Sequence, residues 1–242
     1  MDSHVLCPRC GSTRSWRLKS ARRRCAQCRF DWRPGRWPLR LTPAEWRAIL
    51  RWFVRGVTSA VIAQETGLER KRVLRALTVI RQAIVRHAAL DIHGTPRRTA
   101  GRDAPVVGLS VVRRRASAAV LKESDAQPLR RAVREHRSPR VEVPDGFPYA
   151  AIVYRGRFYR LGRGSAGGGA PGRFGALEAF WGYLQRHLVG RGGIRRERLG
   201  LYLAEYAWRY NHRRIPSVKQ VQELADLVSA GNGRWREQDF PA

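Results

Sequence analysis

From Leu41 to about Arg86 the apolar residues recur at three- and four-residue intervals, the period of a helix with one buried face. Thr42, Pro43, Ala44 and Glu45 read as a capping box with proline in the first helical position. Trp46, Ile49, Leu50 and Phe53 then share one face. Gly56 ends this helix, and Thr58 or Ser59 caps a short second one over 60–65. A third begins at about Glu69 and carries Val73, Leu74 and Leu77. Ala63 and Gly67 supply the small residue and the turn of a helix-turn-helix. The third helix opens on Arg70, Lys71 and Arg72, with Arg75 one turn on. These four are the predicted DNA contacts, because the N-terminal end of such a helix meets the major groove. A three-helix bundle with a solvated charged face is the alternative.

Beyond residue 88 the pattern shortens to β-like runs. Segment 89–92 carries Asp91, and 105–113 and 116–121 read as a hairpin turning at Arg113, Arg114 and Arg115. A helix is expected from Ser124 to about His136, a strand over 140–145 ending in Asp145 and Gly146, and short elements over 151–154 and 158–161. A glycine-rich break at 162–172 precedes a helix over 176–188 that carries Glu178. The last helices repeat Leu199, Tyr202, Leu203, Tyr206 and Tyr210 at three and four, a packed face more than a stacking surface. Strand, hairpin, helix, strand and acid-bearing helix is the element order of an RNase H-like α/β fold. In that fold acids on the first strand, the fourth strand and the late helix converge. Asp91, Asp145 and Glu178 are the candidate trio, 54 and then 33 positions apart. Three clustered carboxylates repel one another and are relieved by cations. Two such ions serve phosphodiester chemistry. The plainer readings are a strand-edge acid, a turn aspartate before glycine and an exposed helix glutamate.

Ahead of the helices lie two CxxC pairs, Cys7 with Cys10 and Cys25 with Cys28, separated by 14 residues. Each pair forms a knuckle, and two knuckles close a tetrahedral four-cysteine zinc site. With all four positions filled by protein, that zinc is structural. A pair of disulfides is the alternative, disfavoured in a chain without a secretion signal.

Composition then narrows the partners. The 242 residues hold 48 Lys+Arg against 19 Asp+Glu, a formal charge of +29, and the only lysines are Lys19, Lys71, Lys122 and Lys219. Such a surplus calls for a polyanion, nucleic acid being the commonest. In the ribbon, Arg22, Arg23 and Arg24 are candidate DNA contacts, with protein docking the alternative role for that module. No apolar run reaches the ~20 residues that span a bilayer, and the N-terminus lacks an apolar leader core. The expected location is the cytoplasm, in association with the nucleoid. The expected division is a zinc ribbon over 1–38, a helix-turn-helix over 39–86, an α/β domain over 87–221 and a tail over 222–242.

Six segments together resemble one family: Cys7 to Cys28, the helix-turn-helix, Pro105 to Gly108, Val143 to Gly146, Leu177 to Trp181, and Tyr206 to Arg213. They resemble the DDE transposases of bacterial insertion sequences that carry an N-terminal zinc ribbon, the ISXO-like group. The resemblance implies an RNase H-like DDE domain and Mg²⁺ or Mn²⁺ held by Asp91, Asp145 and Glu178. It also implies double-stranded DNA substrates, the element's terminal repeats and the target, with cleavage and strand transfer by a homo-oligomer on DNA. The chain departs from the group's pattern in a short stretch between Asp91 and Asp145 and at three motif positions. Asp91 is followed by Ile92, His93 and Gly94 rather than Glu, an aromatic and a glycine pair. Gly175 stands at the usual Asn, and Gln185 at the usual Lys, with Arg186 beside it as the candidate phosphate contact. The alternative is a transposase-derived, catalytically inactive DNA-binding or regulatory protein. A plain zinc-ribbon transcription factor is disfavoured by the large α/β half.

Overall fold

The computed structural model describes residues 7, 12, 14–19, 22–32, 37–88, 103–135, 140–144, 146–163, 172–189 and 194–229. They form a mixed α/β protein with two sheets. The chain divides into two compact units. One is 1–89 with 214–242, and the other is 90–213.

The first unit opens with a three-stranded antiparallel sheet, β1 (Ser15–Arg17), β2 (Arg23–Cys25) and β3 (Asp31–Trp32). After a 3-10 turn at Pro38–Arg40 come α1 (Pro43–Arg55), α2 (Ser59–Thr66) and α3 (Arg70–His87). The expected capping box is present. Thr42 Oγ1 accepts from the Glu45 amide, and the Glu45 carboxylate accepts from the Thr42 amide at 2.6 Å. Gly56 ends α1 at φ 77° and Gly67 ends α2 at φ 66°, conformations that a Cβ disfavours. Trp46, Ile49, Leu50, Phe53, Ile62, Val73, Leu77, Ile80 and Ile84 form the buried face.

A further helix completes this unit. α7 (Ser217–Ser229) packs against α1 and α3 and buries Leu224, Ala225 and Val228. Residues 222–229 are therefore core-forming helix and not part of a tail. Residues 230–242 lie outside the described residues.

The second unit is built on a five-stranded sheet. Its elements are β4 (Val106–Val112), β5 (Arg115–Val120), α4 (Glu123–Glu135), β6 (Arg140–Val143), β7 (Ala151–Tyr154), β8 (Arg157–Arg163), α5 (Gly172–Val189) and α6 (Leu199–His212). The sheet order is β5-β4-β7-β8-β6, with β6 parallel to β8 and every other pairing antiparallel. Alternation along the strands feeds two cores. Val107, Leu109, Ala151 and Val153 pack with Leu177, Phe180 and Leu184 of α5 and with Leu203 and Tyr206 of α6. Val106, Ile152, Tyr154, Val141 and Val143 pack on the opposite face with Ala126 and Leu129 of α4. Gly108 in the middle of β4 is a packing requirement. A Cβ there would lie 2.5 Å from Tyr149 Cγ.

From β4 onward the order of elements along the chain follows the sequence reading, and the sheet gives their order in space. β5 takes one edge of β4, and β7 takes the other over Val106–Leu109. The hairpin of β7 and β8, read from sequence only as short elements, stands between β4 and β6. Among the described strands, β6 ends the sheet on one side. Residues 89–102 lie outside the described residues.

Candidate metal centre and nucleic-acid surface

Cys7, Cys25 and Cys28 bring their sulfurs within 4.8 Å of one another. The Cys7 and Cys28 sulfurs are 3.6 Å apart. A disulfide would hold them at about 2.05 Å. A tetrahedral site with Zn–S of about 2.3 Å places sulfurs about 3.8 Å apart. No disulfide joins any of the three to another, and three such close sulfurs suit a soft divalent ion such as zinc. The second knuckle is formed locally. The Gln27 and Cys28 amides donate to Cys25 Sγ at 3.4 and 3.5 Å, and the Arg29 amide donates to the Cys25 carbonyl. Trp32 packs against the three cysteines and shields them. Cys10, the expected fourth ligand, lies outside the described residues.

Of the ribbon arginines, Arg22 is exposed. Arg24 forms a two-pronged pair with Asp31 at 2.6 and 2.9 Å. That contact holds the Asp31 carboxyl below the usual carboxylate range. Arg23 donates from Nε to Ser15 Oγ at 3.0 Å. Arg23 and Arg24 thus brace the sheet as well as charging its surface.

The four predicted contacts on α3 separate into two groups. Arg70, Lys71 and Arg75 are exposed, and Leu74 lies among them with 42% of its surface exposed. Arg72 is turned inward. Its Nη2 donates to the Arg40 carbonyl at 2.8 Å and to the Leu39 carbonyl at 3.4 Å, and its Nη1 is 4.0 Å from Glu45. Arg72 ties α3 to the turn before α1, a structural role that its exposed neighbours do not share. α3 begins without a side-chain cap and without an acid in its first turn. Two exposed cations, Arg70 and Lys71, therefore sit at the positive end of the helix dipole, next to the N-cap residue Glu69.

In the second unit Glu178 is exposed on α5 and forms an ion pair with Arg160 of β8. Arg160 is paired in register with Arg140, the first residue of β6. Asp145 follows the far end of that strand and, like Asp91, lies outside the described residues. Of the three acids, Glu178 alone is among the described residues. Gly175 is exposed with open space around it, and Gln185 and Arg186 are exposed on the same helix.

Two polar anchors escaped the sequence reading. The Asn211 side chain accepts from the Ala116 amide at 2.8 Å and donates to its carbonyl at 2.9 Å, closing the outer edge of β5. Its signal was present in the segment Tyr206 to Arg213, where His212 Nδ1 also bonds to the Trp208 carbonyl at 2.7 Å. Glu205, 1% exposed, pairs with Arg209 at 2.9 Å one turn on. Among the described residues no helix is long and apolar enough to cross a membrane. No protein-family model, curated protein or solved structure matches the chain.

Proposed function

We propose that this chain is a DNA-binding protein of the transposase type, whose zinc-stabilised ribbon and helix-turn-helix grip the ends of a mobile element in duplex DNA. The observation that carries the reading is the first turn of α3. This end of the helix has no side-chain cap, exposes Arg70 and Lys71, and is followed one turn on by exposed Leu74 and Arg75. A helix start so charged is disfavoured in isolation and is relieved by phosphate. Arginine and lysine there suit guanine edges, and an exposed leucine suits a thymine methyl. The test is selection of bound duplexes from a random pool. Arg70→Ala with Arg75→Ala should weaken the selected site by about tenfold or more while the fold survives. Unchanged binding would return that face to simple solvation.

The resemblance adds strand cleavage and strand transfer by Asp91, Asp145 and Glu178 with two Mg²⁺ or Mn²⁺ ions, acting as an oligomer on DNA. The ions would stabilise the attacking and leaving oxygens of the phosphodiester. Arg160 is no barrier in itself, since an exposed ion pair contributes about 0–1 kcal/mol. A second reading, a transposase-derived protein that binds DNA without cutting it, is favoured by one observation. Glu178 pairs with Arg160, which is level with the start of β6 rather than its end. Nicking of end-bearing DNA with either metal, abolished by Asp145→Asn with binding intact, would establish catalysis. Binding without nicking would establish the second reading.

A further inference from the structure

We propose that the tip of the β4–β5 hairpin is a separate DNA-binding element that grips the phosphate backbone of a duplex through Arg113, Arg114 and Arg115. The proposal rests on the DNA-binding reading above but concerns a surface of the other unit. Val112 pairs with Arg115, so the connection is only two residues, Arg113 and Arg114. Both have positive φ, 47° and 64°. Two-residue hairpins of this kind favour Asn-Gly, Asp-Gly or Gly-Gly, because a Cβ is strained at both central positions. The other hairpin of the same sheet partly follows that rule, with Arg155 at φ 50° and Gly156 at φ 77°. The β4–β5 turn spends conformational stability to place two arginines where smaller residues fit better.

The surroundings give that cost a purpose. Arg113, Arg114 and Arg115 are all exposed, and none forms an ion pair with an acid among the described residues. Three adjacent cations without counter-charge repel one another until an anion arrives. Val112, 64% exposed at the same tip, offers a small apolar surface between them. Apolar side chains beside arginines are the equipment of proteins that enter the minor groove. The base of the hairpin is held firm, by Asn211 on Ala116 and by the 2.6 Å bond between Ser110 and Ser117. The tip is thus presented in a fixed shape. A formal charge of +29 makes a duplex the matching partner.

The experiment uses the full chain and a random-sequence duplex of about 30 base pairs, the length of three helical turns, titrated over a range of salt. Arg113→Asn with Arg114→Gly gives the turn its preferred residues and removes two charges. The expected result is opposite movement of two readouts. The Tm rises by about 2–6 °C as strain is relieved. The slope of log affinity against log salt falls by about 2, which corresponds to a loss of roughly 30-fold at 0.15 M salt. Arg113→Lys with Arg114→Lys keeps the slope. A higher Tm with unchanged slope and affinity overturns the proposal. So does equal, tip-dependent binding of polyglutamate, which would assign the hairpin to an acidic protein. If the unaltered chain binds no duplex at all, the DNA reading itself fails and the hairpin proposal falls with it.

Discussion

Arg72→Ala separates a brace from a DNA contact at one position. In the folded chain the Arg72 guanidinium caps the carbonyls of Leu39 and Arg40, both in a left-handed conformation at φ 62° and 54°. The same turn is held from α1, whose Trp46 Nε1 donates to the Pro38 carbonyl at 3.3 Å. A hydrogen bond from a charged donor contributes about 1.5–3 kcal/mol when well formed. Only the 2.8 Å bond to Arg40 qualifies, and the Arg72 side chain is 36% exposed, so water replaces part of it. The expected loss is about 1–2 kcal/mol, or roughly 4–12 °C in Tm for a unit of this size.

Two measurements decide the matter. Hydrogen exchange should show faster opening confined to α1, α3 and the Pro38–Arg40 turn. Duplex affinity, measured well below the melting range, should stay within about twofold with its salt slope unchanged, because a contact to phosphate would remove about 0.9 from that slope. An unchanged Tm together with a salt slope lowered by about 1 would refute the brace and restore Arg72 to the DNA-contacting face.

Purified protein should carry about one zinc per chain, and Cys28→Ser should lose it, as read by metal analysis, with exchange in β1 to β3 rising sharply. Gly108→Ala should cost about 1–3 kcal/mol in denaturant unfolding, because the new methyl would lie 2.5 Å from Tyr149 Cγ. Glu45 titrates below its ordinary value, chiefly because the Thr42 amide donates to its carboxylate. Its contribution is therefore present above the ordinary carboxylate pKa and is lost as pH falls through the lower folded value. Melting at pH 6 and pH 3 should show the advantage of the native chain over Glu45→Ala shrinking at the acid end. Asn211→Ala should cost about 2–4 kcal/mol, since it leaves both the amide and the carbonyl of buried Ala116 unpaired.

What was legible in the sequence was what local chemistry decides. The Thr42–Glu45 box, Gly56 and Gly67 each act within one turn, and each stands where it was read. The second CxxC is equally local. What was hidden depends on partners distant in sequence. Arg72 looked like its neighbours Arg70 and Lys71, and only the approach of residues 39 and 40 turns it inward. The segment 222–229 gave no terminal signal, because its apolar residues acquire meaning from α1 and α3. The strand order was hidden for the same reason. Val153 is as good an inner strand residue as Val107, and neither says which strand lies between which. Glu178 was found as an acid on the expected helix, but its partner Arg160 belongs to a strand that the pattern placed only as a short apolar run.

The pairing of acids in this chain bears on the proposed metal-dependent reaction at Glu178. Asp31, Asp103, Glu123, Glu135, Glu178 and Glu205 each face an arginine, Arg24, Arg134, Arg130, Arg131, Arg160 and Arg209 in turn. Most of these pairs are exposed and individually weak. Arg130 and Glu205 are the buried exceptions, and removing either partner there would strand a charge. With 48 cations and 19 acids, many arginines still have no acid to face. Among the described residues, Arg70, Lys71, Arg75 and Arg113 to Arg115 are exposed and form no ion pair with an acid. In such a chain a carboxylate is a scarce group under constant competition from arginine. A divalent ion at Glu178 must therefore outbid Arg160. It does so only if other carboxylates converge on it, because one exposed glutamate binds a hard cation weakly. The state of Glu178, free for metal or retained by Arg160, thus follows from where Asp91 and Asp145 lie. Arg160→Ala tests that dependence: it should raise metal-dependent nicking if the acids converge and leave it at zero if they do not.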